Sequence, residues 1–238
     1  MYNFQSIISK NTNNVLVQYE RFGHLAQNLS NVDTNGYKKV TFEQIMKEDG
    51  CLTGAVRTDY SQGSVRVTEN PYDIGIDGPG YIPVTSPSGQ VQYTRDGAFR
   101  QGKDGYLVTS DGWIVGDGIK IPSNCMRFDI KRNGEVIAYY HDDKKPEKIG
   151  TVPLIQFDNP DGMQPADMDR LVATADAGEA RLVKNHDCFK QGTLERANVS
   201  VFQTATDIMR MNASMLASIQ ILKAADQMYN KSINIREG

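Results

Sequence analysis

The sequence predicts an α+β protein: a long helix at each end of the chain, the two packed as a coiled coil, with an antiparallel all-β domain inserted between them on extended connecting arms. Three observations predict it. Apolar residues recur seven apart in both terminal stretches, the spacing of a helix that buries one side. Asx-Gly dipeptides punctuate the middle of the chain at short intervals, as tight turns between strands do. The segments joining middle to ends follow neither pattern.

Taking the chain in order, residues 4–32 read as the first helix. Ile8, Val15, Phe22 and Leu29 form one apolar row, and Tyr19, Leu25 and Val32 fill the same side. The other side is rich in Asn, Gln, Ser and Thr, with only Lys10, Glu20 and Arg21 charged. Solvated helix faces normally carry Lys and Glu in i,i+4 pairs. An amide-rich face therefore suggests contact with other polar surfaces, or the lining of a neutral channel. Residues 28–38, NLSNVDTNGYK, end the helix, because Asn and Asp tolerate left-handed backbone and Gly36 supplies positive φ. Over Lys39–Arg66 the pattern weakens. A short helix at Phe42–Lys47, broken by Asp49-Gly50, leads to an extended run at Thr58–Val67 with a turn at Gln62-Gly63.

Residues 67–184 read as β. Asp77-Gly78, Asp96-Gly97, Asp104-Gly105, Asp111-Gly112, Asp117-Gly118 and Asn133-Gly134 mark turns. The clearest hairpin joins Arg127–Lys131 to Glu135–Tyr140. Further strands are expected at Asp73–Asp77, Tyr81–Thr85, Val91–Thr94, Tyr106–Thr109, Trp113–Val115 and Gly150–Phe157, the spacing of a sandwich or irregular barrel. After Gly192 no glycine or proline interrupts the chain until past Tyr229. One row there runs Val201, Ile208, Met215, Leu222 and a second runs Phe202, Met209, Leu216, with Ala205 and Ile219 beside them. A helix from about Leu194 to Tyr229 would be roughly 50 Å long, and a stripe of that length needs a partner. The expected division is 1–35 and 194–238 as the helical domain, 36–66 and 185–193 as arms, and 67–184 as the β domain. Ile8, Val15, Phe22, Leu29, Val201, Phe202, Ile208, Met209, Met215, Leu216, Ile219 and Leu222 are the candidate assembly residues.

Composition narrows the function classes. The 238 residues carry a formal charge of −3 with both signs interspersed, which gives nucleic acid no basic footprint. No apolar run reaches the ~18 residues of a membrane span. The N-terminal MYNFQSIISKNTNN lacks the charged lead, apolar block and small-residue site of a cleaved secretory signal. Cys51, Cys125 and Cys188 have neither zinc-ligand nor disulfide-framework spacing. His24, His141 and His186 are the only histidines, and His186-Asp187-Cys188 are sequence neighbours rather than a triad assembled in space. No phosphate-binding loop or GxGxxG motif is present. The expectation is a protein that is not an enzyme and takes no cofactor or metal.

Three separated motifs carry a resemblance. Asn28-Leu29-Ser30-Asn31-Val32-Asp33-Thr34-Asn35-Gly36-Tyr37-Lys38 is similar to an NxxNxxTxGYK signature, with Asn35 where proline is common. Gly63-Ser64-Val65, Thr68 and Asn70-Pro71-Tyr72-Asp73-Ile74-Gly75-Ile76-Asp77-Gly78-Pro79-Gly80-Tyr81 are similar to a GxLxxTxNPxDxAIxGxGF run, continued by Tyr93 to Phe99 and Asp104 to Thr109. Gly192-Thr193-Leu194-Glu195-Arg196-Ala197-Asn198-Val199 resembles the GxLExSNV that opens a C-terminal helix. Together they resemble the bacterial flagellar rod and hook proteins, most closely the rod subunits of the basal body, with the distal type favoured over the proximal. The resemblance implies a structural subunit that polymerises with itself into a hollow axial tube, meets other rod and hook proteins, and is surrounded by bushing rings. It also implies export through the flagellar type III apparatus without a cleaved signal, and residence in the basal body across the cell envelope. A soluble binding module, with a coiled-coil stalk presenting a β domain, is the alternative.

Overall fold

The computed structural model describes residues 4–141, 145–167, 169–184 and 186–234. The chain divides into two compact units. The helical unit comprises Met1–Asn31, Lys39–Asp59 and Val199–Gly238, and the β unit comprises Val32–Lys38 and Tyr60–Asn198.

In the helical unit, α1 (Phe4–Ser30) and α2 (Val201–Asn234) pack together beside a hairpin of β1 (Val40–Met46) and β2 (Leu52–Thr58). The end of α1 is held by its own polar residues: Ser30 Oγ donates to the Ala26 carbonyl, and Asn31 Nδ2 to that of Gln27. α2 starts where Ser200 Oγ accepts from the Gln203 N–H, the geometry of an N-cap serine. The hairpin turns through Asp49, whose carboxylate accepts from the Cys51 N–H, and Gly50 at φ 78°. Seven pairs run from Val40 opposite Thr58 to Met46 opposite Leu52.

Sixteen short strands build the β unit: β3 (Val65–Val67), β4 (Ile74–Ile76), β5 (Ile82–Thr85), β6 (Val91–Thr94), β7 (Arg100–Gln101), β8 (Leu107–Val108), β9 (Ile114–Val115) and β10 (Cys125–Ile130), then β11 (Glu135–Tyr140), β12 (Glu147–Thr151), β13 (Ile155–Gln156), β14 (Met163–Pro165), β15 (Arg170–Ala173), β16 (Arg181–Leu182), β17 (Phe189–Gln191) and β18 (Thr193–Glu195). Seven form one antiparallel sheet in the order β14-β15-β6-β5-β9-β8-β7, and β10-β11-β12 form a meander. The pairs β17-β4 and β18-β3 bring the end of the unit back onto its start. The expected hairpin at Asn133-Gly134 is present, with Gly134 at φ 83°. Ile74, Ile76, Ile82, Val84, Val115, Val152, Leu154 and Phe189 are wholly buried in one core. At about 1.5–3 kcal/mol for each large apolar side chain, this core is the main force holding the unit together.

The expected fold class is corrected in three respects. First, the helices are not a coiled coil of the two apolar stripes. Their contact mixes a few small or apolar groups (Val17, Met211, Ala225) with polar bonds: Asn11 Nδ2 donates to the Ser218 carbonyl (2.8 Å), Asn14 Nδ2 to Ser218 Oγ (3.2 Å) and Gln18 Nε2 to Ser214 Oγ (3.0 Å). Second, β structure is not confined to an insertion between helices. The chain has two α-helices among the described residues and strands in both units, and the segments expected as extended arms are largely paired strands. Third, two helical assignments are overturned. Phe42–Lys47 lies in the β1-β2 hairpin, because Val40, Thr41, Phe42 and Ile45 are β-branched or aromatic and the Asp49-Gly50 turn returns a partner strand. Leu194 and Glu195 belong to β18, so α2 begins seven residues later than about Leu194, its expected start.

Candidate functional site

Two sets of residues emerge, one in each unit. In the helical unit the buried row of α2 is Thr204, Met211, Ser218 and Ala225, spaced seven apart and each 4% exposed. Facing them on α1 are Val17 and Gln18, also buried. The amides of the polar face of α1 are thus spent on α2 and on the hairpin. Asn13 Oδ1 accepts from the Leu52 N–H (2.6 Å), and the buried Asn28 carboxamide both donates to and accepts from the backbone of Val40 (2.7 and 2.8 Å). That two-way bond copies a strand pairing and fixes where the hairpin leaves the helix.

Turning this polar face inward leaves apolar groups outside. Phe202 is 84% exposed, Met209 71% and Leu216 62%, one candidate row in full. Val201, Phe22 and Leu29 are exposed as well, whereas Ile8, Val15, Ile208, Met215, Ile219 and Leu222 are half-buried at the margins of the contact between the helices. Leu16, Tyr19, Ile221 and Met228 extend the exposed apolar surface. The sequence reading missed the buried row of Thr204, Met211, Ser218 and Ala225. Its seven-residue spacing was visible, but two of its four members are hydroxylic and no apolar count selects it.

In the β unit, the motif residues converge on Glu195, which is 1% exposed. Its Oε1 accepts from Lys38 Nζ (2.8 Å) and from the Gly63 N–H (2.9 Å), and its Oε2 accepts from Arg95 Nε (2.8 Å). Its carbonyl takes the Gly36 N–H (2.9 Å). Arg95 further donates to the carbonyls of Gly80 and Gly78 and lies over the Tyr81 ring. Burial pushes the Tyr81 phenol up to about 12, so it stays neutral beside this cluster. Gly36 has φ 70°, and a Cβ there would lie 2.8 Å from Arg95, so both backbone and space require glycine. Leu194 is buried, and Asn198 Nδ2 donates to the carbonyl and hydroxyl of Ser61 while its N–H reaches the Tyr37 carbonyl. Asn70 and Asp73 close a local turn through Asn70 Nδ2 and Asp73 Oδ1. Asn31 serves the end of α1, and Val199 is half-buried in the helical unit. Arg95 falls within the motif run Tyr93 to Phe99, but its pairing with Glu195 was not anticipated, because that partner lies 100 residues away.

The catalytic candidates stay apart. His186 packs edge-on against Phe189 at 5.0 Å, and burial holds its pKa below the usual histidine value. Asp187 engages Arg132 through its backbone carbonyl. The three cysteines are free thiols. Among the described residues no group of His, Cys, Asp and Glu is placed to hold a metal, and no helix is long and apolar enough to cross a membrane.

Comparison with known proteins finds similarity to flagellar proteins. Residues 75–138 match the family model described as the flagellar hook protein FlgE/F/G D1 domain. The chain is similar to the flagellar basal-body rod protein FlgG of Caulobacter vibrioides, at 29% identity over 191 residues, 79% of this chain and 73% of that protein. It is similar to FlgG of Buchnera aphidicola subsp. Schizaphis graminum at 28% identity (87% and 90% covered), and to FlgG of Bacillus subtilis at 25% (89% and 92%).

Proposed function

We propose that this chain, a structural flagellar basal-body rod protein of the FlgG-like kind, assembles through the outer faces of α1 and α2 into the wall of a hollow helical tube. The observation that carries the proposal is the row of Phe202, Met209 and Leu216, which none of the described residues covers. A lone exposed leucine needs no explanation, but three large apolar groups in line along a helix mark an interaction surface. On a chain of this family the partner is a further copy, or another rod or hook protein above or below it in the stack. A head-to-tail contact that does not close propagates as a helix of subunits, and its bore would pass exported proteins while its wall transmits torque. Delivery through the flagellar type III apparatus and a surrounding set of bushing rings complete the proposed setting.

The test is the double substitution Phe202→Asp with Met209→Asp. Both side chains point away from the chain's own contacts, so the monomer should keep its circular dichroism spectrum. Electron microscopy of concentrated protein should then show tubes or filaments from the parent and discrete particles from the variant. Discrete particles from both would refute assembly through this face and favour a binding module.

A further inference from the structure

None of the described residues accounts for the glycine in the interior of α1. Gly23 is exposed, and a Cβ built on it would meet nothing within 4 Å. Glycine inside a helix is less stable than alanine, because it loses the most backbone freedom on folding. Space within the chain would admit almost any side chain here, so the position gives up helix stability for something outside the chain.

Leu16, Gly23 and Ser30 are seven apart and all exposed, so they lie in line along the outer side of α1. Phe202, Met209 and Leu216 form the matching line along the outer side of α2. Within the chain the helices run antiparallel, since Asn14 meets Ser218 while Gln18, one turn on, meets Ser214. Copies that share one direction along a tube keep that polarity, so α1 of one copy runs antiparallel to α2 of its neighbour. Two antiparallel rows of equal spacing match throughout once one pair is set. Met209 set over Gly23 brings Phe202 to Ser30 and Leu216 to Leu16. The two largest knobs then meet the two smallest positions, and the third pair is apolar on both sides. Charge agrees with this register. Glu20 stands exposed one turn before Gly23, and Arg210 stands beside Met209 with only a 4.0 Å contact to Asp207. The two charges come to the same side of the contact, about 3 Å apart along its axis.

We infer, on the basis of the tube proposed above, that the outer side of α1 receives the exposed row of α2 from a second copy of this chain, with Gly23 as the hole that Met209 enters. A side chain at position 23 would fill that hole and hold the two helices apart. The same glycine that weakens the isolated helix therefore lets the assembled pair close up. Glu20 and Arg210 fix the direction and register of the contact.

The experiment uses the full chain and reads the critical concentration for assembly by light scattering, with electron microscopy to identify tubes. Gly23→Ala should raise the melting temperature of the monomer by about 3 °C and yet raise the critical concentration about tenfold. Gly23→Leu should abolish tubes, and adding Met209→Ala should restore them, because the exchange of sizes refills the hole from the other side. Glu20→Arg and Arg210→Glu should each weaken assembly and together recover it. Circular dichroism of every monomer, expected to match the parent, keeps misfolding apart from a lost contact. Rescue by either exchange supports the contact between copies. Tubes from Gly23→Leu at the parent's critical concentration, or rescue by neither exchange, would overturn this contact and leave the tube itself standing. A parent that forms no tubes would overturn both.

Discussion

In the β unit, Ile74, Ile76, Val84, Leu154 and Phe189 are fully enclosed, whereas in the helical unit the most buried positions of α2 include Thr204 and Ser218 while Phe202 stands in solvent. One unit spends its apolar surface on itself and the other keeps much of it outside. The contrast shows that apolar content does not decide what is buried. A sheet of short strands has no competing use for its inward side chains. A long helix has several faces, and here hydrogen bonds occupy the face turned to its neighbour.

The comparison is sharpened by perturbing each unit at its own kind of contact. Phe189→Ala removes the largest fully buried side chain of the β core and should cost about 3–5 kcal/mol. Chemical denaturation followed by the fluorescence of Trp113, the chain's single tryptophan and part of the β unit, should register that loss. An unchanged midpoint would mean that the core does not hold the unit. Glu195→Gln leaves Lys38 and Arg95 without their buried counter-charge, and about 3 kcal/mol should be lost in the same measurement. A variant as stable as the parent would reduce this cluster to ornament.

In the helical unit the effects should be smaller. Asn28→Ala strands the backbone N–H and carbonyl of Val40, worth about 1–3 kcal/mol. Hydrogen exchange at the Val40 amide should accelerate while the β core stays protected, and equal acceleration in both units would break the distinction between them. The smallest change returns to the β unit. Burial raises the carboxyl pKa of Asp96 above the ordinary value, with Asp73 adding to the effect. A raised folded pKa means stability that is full below the unfolded pKa and lost as pH rises through the folded one. Asp96→Asn should therefore stabilise the unit at neutral pH and flatten the rise seen on mild acidification. A thermal-melt series across acid and neutral pH would show whether that slope disappears.

Much of the β unit was legible beforehand. The strands at Val91–Thr94 and Glu135–Tyr140 and the turn at Asn133-Gly134 lie where alternation and turn chemistry put them. The β1-β2 hairpin was not, since its seven pairs depend on a partner strand that a short window cannot include. The motif around Glu195 was recognised as a motif but mistaken for the start of a helix. Its strand pairing with Val65–Val67 lies far off in the sequence.

By itself the sequence determined the Asx-Gly turns, about half of the strands, two long helices near the ends of the chain and the resemblance to rod proteins. These rest on local chemistry: positive φ at glycine, the periodicity of side chains, and motifs a few residues long. Only the tertiary structure decided which face of α2 meets α1, and that Lys38, Gly63, Arg95 and Glu195 share one buried cluster. A helix offers every face at the same local cost, so the choice falls to hydrogen bonds made with residues some 200 positions away.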